Sequence, residues 1–216
     1  MRVTHDPALL ADFPQLAVAT LTLDDVTSSV DVTRTAAPFL ERASARLADR
    51  PESEFPEIAA WRRAFSQMGL KPTQYRCASE ALLRRFKKDG RLPAIHPLVD
   101  LCNAVSIAYA IPIAVFDLSQ VTGDLTVTRA TGSEKYLSFA GETEAPEARE
   151  VIFLDEAGNA HCRRWTNRQS ALSAVRPDTH RAIIVSEALH DTASADVVAL
   201  RRELSDALAQ HWRPSG

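Results

Sequence analysis

The stretch IHPLVDLCNAVSIAYAIPIAVFD, Ile95–Asp117, decides how this chain is read, because its period changes halfway along. His96-Pro97 opens a helix that runs to about Tyr109, with proline at the first helical position, where its missing N–H costs nothing. Pro112 ends that helix. At 3.6 residues per turn Leu98, Leu101, Cys102, Val105 and Tyr109 make a buried stripe, while Asp100 and Asn103, three apart, form a narrow polar edge. Polar groups at the margin of so apolar a helix need partners, in a neighbouring loop or in a site. From Ile113 to Phe116 the pattern is that of a short β run.

Upstream, Leu16–Leu23 alternates as a strand and is closed by Asp24-Asp25. Pro38 to Arg50 reads as a helix stopped by Pro51, Pro56 to Met68 as a second ended by Gly69, and Gln74 to Lys88 as a third ended by Asp89-Gly90. Downstream, β-like runs cover Leu125–Arg129, Tyr136–Phe139, Glu150–Leu154, His161–Trp165 and Arg181–Ser186. Turn signals such as Thr122-Gly123-Asp124 and Glu156-Ala157-Gly158-Asn159 separate them. A closing helix at about Ala195–Trp212 aligns Val197, Leu200, Leu204 and Leu208 for packing on a sheet. Helices, then strands, then a helix predict a layered α+β fold. Residues 1–52 read as an N-terminal extension packed on a core formed by 53–216.

Composition narrows the function. The 216 residues are 45% hydrophobic, enough for a sizeable core. Seven glycines supply no phosphate-binding loop of Walker or dinucleotide type, so no nucleotide cofactor is expected. Cys77, Cys102 and Cys162 lack metal-type spacing, His161 and Cys162 are adjacent and would point to opposite faces of a strand, and neither a metal site nor a disulfide scaffold is expected. Met1–Asp12 carries Arg2, His5, Asp6 and Asp12 rather than an apolar leader, and no run approaches a membrane span, so a cytoplasmic location is expected. The formal net charge of −3 argues against wide capture of nucleic acid. If this chain binds a nucleic acid, a local basic patch must do the work.

Three groups carry candidate chemistry. On the 74–88 helix, i to i+4 spacing lets Glu80 contact both Arg76 and Arg84, which makes either a solvated ladder or a guanidinium fork for a phosphate or carboxylate. Asp100 and Asn103 are the second group. The third, Trp165-Thr166-Asn167-Arg168-Gln169-Ser170, crowds an aromatic, a guanidinium, amides and hydroxyls into a short loop after a β run, where binding residues collect. No serine sits in a nucleophile elbow, and no catalytic side chain is assigned.

Taken together, Ile95–Val105 and Ile111–Asp117 resemble the pattern N-P-x-V-D-x-x-N-x-V followed by Q-P-x-H-x-F-D of the B3/B4 domain, the editing module of the phenylalanyl-tRNA synthetase β subunit. Gly123-Asp124-Leu125-Thr126-Val127 is similar to the strand that follows there. The likeness spans roughly Trp61 to Trp212, and the Arg76-x-x-x-Glu80 and Trp165-x-x-Arg168-Gln169-Ser170 elements resemble those of free-standing proteins of this class. The resemblance implies an α+β fold with a central cleft and hydrolysis of a wrongly charged aminoacyl-tRNA, without cofactor or metal. Its site residues here would be Arg76, Glu80, Asn103, Trp165, Arg168 and Gln169. The implied partner is the aminoacylated 3′ end of a tRNA or an amino-acid-like small molecule, and neither DNA nor a membrane. Where the family has its histidine this chain has Ala114, and where the family has Gly-Gly-Glu it has about Arg168-Gln169. That exchange of an acid/base-capable ring for a methyl separates the two functional readings, a trans-acting editing deacylase and a non-catalytic binding module.

Overall fold

The computed structural model describes residues 1–215. In chain order the elements are β1 (Val3–His5), α1 (Pro7–Asp12), β2 (Ala17–Asp24), α2 (Thr33–Asp49), α3 (Pro56–Gln67), α4 (Ala78–Asp89), α5 (Pro97–Tyr109), β3 (Ile113–Asp117), β4 (Leu125–Arg129), β5 (Tyr136–Leu137), β6 (Thr143–Glu144), β7 (Val151–Leu154), β8 (Ala160–Arg163), β9 (Arg168–Gln169), β10 (Ala182–Ala188), α6 (Ala193–Leu208) and β11 (Arg213–Ser215). The fold is α+β, as the sequence predicts.

Two sheets stack. One has the order β11-β2-β10-β3 and the other β1-β4-β7-β8-β9, and β5 and β6 form a separate two-stranded ribbon. Strand β10 is central in the first sheet, with Ile184 opposite both Leu21 of β2 and Val115 of β3. All seven of its residues are buried because both its faces are covered, and such a strand reads as a run of apolar residues rather than an alternation. Ala182 and Ile184 face α5 and α6, joining Leu101, Val105, Leu200 and Leu204 in one core. Ile183 and Val185 face the second sheet, joining Phe116, Val127, Phe153, Phe13 and Trp61 in another. The result is helices on sheet on sheet, with α1 and α3 packed into the second core.

The Ile95–Asp117 stretch folds as its pattern requires. His96 caps α5 by accepting the Leu98 N–H on Nδ1 at 3.1 Å, and Asp100 accepts the Ile95 N–H at 2.9 Å. The C-terminal cap is Ala110 in the left-handed region at φ 56°, a position that favours glycine. Two serines hold it there: Ser79 Oγ donates to the Ala110 carbonyl at 3.0 Å and Ser106 Oγ to the Ile111 carbonyl at 2.6 Å. This cap turns the chain directly into β3, the edge strand of the first sheet.

Several boundaries differ from the sequence reading. Helix α2 starts at Thr33, five residues before Pro38, because Asp31 accepts from the Thr33 N–H and hydroxyl at 2.9 and 2.6 Å and Pro38 is accommodated inside the helix. Helix α4 starts at Ala78 rather than Gln74, because the chain before it is drawn onto the loop after β8: Asn167 Nδ2 donates to the Arg76 carbonyl and Ala78 N–H to the Thr166 carbonyl, both at 2.8 Å. Elements β1, α1, β6, β9 and β11 are additional, β9 lying inside the segment read as a loop. Strand β1 is three residues long and pairs in parallel with β4, Val3 opposite Leu125, a partnership with no local sequence signal.

Candidate functional site

A cleft of about 400 Å³, counted to its open mouth, lies between the two sheets. Its floor comes from β3 and β10 on one side, with Ile113, Ala114, Val185 and Glu187, and from β7 and β8 on the other, with Phe153 and Cys162. Pro112, Ala78 at the first turn of α4 and the adjoining segment Trp165 to Gln169 complete its lining. Ala114 is the cross-strand partner of Val185, so the wall at the position of the family histidine is two small apolar groups side by side.

The Trp165–Gln169 wall is a turn forced into shape from several directions. Arg164 and Trp165 are both left-handed, at φ 48° and 58°, a conformation that costs non-glycine residues energy and persists only where surroundings enforce it. Trp165 N–H donates to the Val151 carbonyl at 2.6 Å, and Thr166 and Asn167 hold the entry to α4. The guanidinium of Arg164 lies 4.8 Å from the Tyr75 ring and 3.2 Å from Glu150.

Trp165 itself is fully buried, edge-on to Phe13 and Trp61 with centroids 5.0 Å away in each case. Its indole N–H donates to Glu187 Oε2 at 3.0 Å, and the other oxygen of Glu187 meets His5 Nε2 at 2.6 Å. Glu187 is a buried acid near the end of a largely apolar strand, and both its oxygens are engaged; a burial of that kind is tolerated only with such partners. Sequence reading missed Glu187 and His5. The signal available was the lone Glu in the run AIIVSEA, but its partner lies 182 residues away.

At the mouth, Arg163, Arg164 and Arg168 share Glu144 and Glu150. Arg163 is committed, bidentate to Glu150 at 2.8 and 2.9 Å and bonded to Glu144 at 2.6 Å, and the Glu150 bond raises its pKa above the ordinary arginine value. Arg168 is not committed in this way. Its side chain is 46% exposed, lies over the Tyr136 ring at 5.6 Å and reaches Glu144 only at 4.0 Å. Three cations on two carboxylates leave a positive charge at the entrance, and Arg168 carries it. Gln169 spends its amide on the Val115 carbonyl at 2.7 Å, stitching the turn to β3. Thr166 Oγ1 is buried in this wall and has no hydrogen-bond partner among the described residues.

Of the six residues singled out in the sequence, Trp165, Arg168 and Gln169 line the cleft, and Arg76, Glu80 and Asn103 do not. Glu80 is fully buried and held by Arg62 through two bonds, 2.6 and 3.1 Å, with Arg76 at 3.4 Å. Arg84 turns instead to Glu52 at 3.1 Å. Arg76 reaches the site through its backbone, by the bond from Asn167. Asn103 sits half-buried on α5.

No side chain in the cleft is a ready nucleophile. Burial pushes the Cys162 thiol above its ordinary pKa, and that of Cys77, at the cap of α4, up to about 12. A Ser–His–Asp arrangement does exist nearby, His161 Nδ1 2.8 Å from Ser173 Oγ and Nε2 3.2 Å from Asp155 Oδ2, but all three are buried and none lines the cleft. Asp155 also accepts from Thr122, Ala157 and Asn159, which makes the trio a structural link between loops. Among the described residues no group of three His, Cys, Asp or Glu side chains is placed to hold a metal ion, and no helix is long and apolar enough to cross a membrane.

Comparison with known proteins agrees with this architecture. The phenylalanine–tRNA ligase β subunit of Shewanella oneidensis is 25% identical over 88 residues, 41% of this chain and 11% of that protein. That of Cereibacter sphaeroides is 33% identical over 76 residues, 35% of this chain and 9% of that protein. An N-terminal fragment of the phenylalanyl-tRNA synthetase β subunit from Pyrococcus horikoshii superimposes with a TM-score of 0.51 at 12% identity, covering 97% of this chain and 48% of the fragment, a likeness of fold. This chain thus spans a small part of the synthetase subunits it resembles. Residues 60–212 match the B3/4 domain family, and on that extent the chain belongs to it.

Proposed function

We propose that this protein hydrolyses a mischarged aminoacyl-tRNA in trans, as a free-standing editing deacylase acting in the cytoplasm. The observation that carries the reading is the strained, pinned turn that brings Trp165, Thr166, Arg168 and Gln169 onto the wall of a cleft in a B3/4 domain. In the reaction a water oxygen bonds to the ester carbonyl carbon, the bond from that carbon to the ribose oxygen breaks, and the ribose oxygen leaves with a proton. The products are the free amino acid and uncharged tRNA. An activated ester needs little more than a water held in line, so positioning can supply much of the acceleration. The unpartnered Thr166 hydroxyl is suited to hold that water or the ester, the apolar floor to receive the amino-acid side chain, and Arg168 to meet a phosphate of the terminal nucleotides. Incubation with a panel of aminoacyl-tRNAs tests the proposal: at least one ester disappears faster than in buffer, and Arg168→Ala slows its loss. If none does so and the substitution changes nothing, the proposal fails.

One observation favours a second reading, a binding module without turnover. Ala114 beside Val185 leaves the wall without a free acid or base. Calorimetric titration with free amino acids and with uncharged tRNA separates the two, since binding without ester loss supports the module alone.

A further inference from the structure

We infer that the exposed face of the C-terminal half of α4, continued by Arg91, docks the phosphate backbone of a tRNA stem whose 3′ end enters the cleft. The inference rests on the proposed function above. Arg84, Arg85, Lys87, Lys88 and Arg91 all stand exposed on this ridge, five cations on a chain whose formal net charge is −3. Their counter-charges are few. Arg84 and Lys87 share one carboxylate, Glu52, at 3.1 and 3.6 Å. Arg85 meets Asp89 at 3.5 Å across an exposed pair, which water screens and a phosphate can replace. Lys88 and Arg91 meet no carboxylate among the described residues. One or two cations suffice to complement the end of a helix, so the remainder has no use in stabilising α4.

The ridge is rigid and continues from the cleft. Leu83 is buried, and Leu82 and Phe86 pack against the core, which fixes the opposite face of α4 outward. Ala78 in its first turn lines the cleft. At 1.5 Å per residue Arg84 lies about 9 Å and Lys88 about 15 Å further along the axis from Ala78, within reach of a stem whose 3′ end is lodged in the cleft. A duplex presents closely spaced phosphates, and a row of guanidinium and ammonium groups matches it where a single cation would not. On an otherwise acidic molecule, a confined patch also selects one orientation of approach.

The double substitution Lys88→Glu, Arg91→Glu tests this without unpairing Glu52. It is expected to raise KM for an aminoacyl-tRNA about tenfold, to lower the slope of log affinity against log salt for uncharged tRNA by about 1 to 2, and to leave hydrolysis of the corresponding 3′-aminoacyl-adenosine 5′-phosphate unchanged, since that ester keeps the terminal phosphate that Arg168 meets but is too short to reach the ridge. Arg168→Ala is expected to slow hydrolysis of both esters. If the wild-type protein hydrolyses aminoacyl-tRNA and the ridge variant keeps its KM and salt slope, the ridge docks something other than RNA, such as an acidic protein, and this inference falls alone. If the wild-type protein neither binds tRNA nor hydrolyses any ester, the deacylase reading and the ridge fall together.

Discussion

Trp165 does two jobs with one ring: its faces fill the core against Phe13 and Trp61, and its N–H fixes a buried carboxylate at the back of the cleft. Trp165→Phe keeps most of the packing and removes the bond to Glu187, so it is expected to cost on the order of 2 kcal/mol in denaturant unfolding. His161 makes a prediction about pH. Burial lowers its pKa from 6.5, outweighing the raising effect of Asp155. A histidine depressed in the folded state takes its proton first in the unfolded chain, so stability is complete above about pH 6.5 and declines as pH falls below it. His96, lowered for the same reason, adds to the trend. Unfolding measured between pH 7 and 5 is expected to show a shallower decline in His161→Gln than in the wild type, even if the variant starts from a lower stability. An equal slope in the two proteins would contradict the assignment. Trp165, Arg168 and Gln169 were legible because they crowd one short loop. Glu187 and His5 were not, because a buried hydrogen-bonded pair between distant strands leaves no local pattern.

At the level of elements, α5 and β3 could be read from Ile95–Asp117 alone, since proline, periodicity and the change of period all agree there. The start of α4 could not, because Thr166 and Asn167 set it from the other half of the chain. Local propensity favoured helix from Gln74, and tertiary bonds overruled it. The turn Thr122-Gly123-Asp124 was legible and favours its glycine: at φ 70° a side chain is strained, and the exposed Glu156 carboxyl end, 2.3 Å from where a Cβ would stand, would have to swing aside. Gly123→Ala is expected to destabilise by roughly 1 kcal/mol or more, read as a drop in melting temperature. For residues 1–52 we propose an extension packed on the core and inseparable from it in folding, because β2 pairs along the whole of β10 and β1 extends the second sheet. A chain beginning at residue 53 would expose the edge of β10, and it is expected to aggregate or to lack a cooperative transition. Cooperative unfolding of that shortened chain would contradict the proposal.

Across the whole molecule, two sheets and a helical layer hold an apolar cleft whose entrance carries Arg168 and whose outer flank carries the basic ridge of α4. The family pattern made the fold legible, and the Ala114 departure made the activity the open question. With Ala114 the wall offers no uncommitted acid or base, since both oxygens of Glu187 are engaged, so any acceleration must come from holding water and ester in line with the help of Thr166 and Arg168. The most direct test is the single-turnover rate of ester loss from a mischarged aminoacyl-tRNA with the protein in excess. The account predicts a rate above that in buffer, lowered about tenfold or more by Arg168→Ala and by Thr166→Val. A rate equal to buffer, in a protein shown to bind the same tRNA, would contradict it.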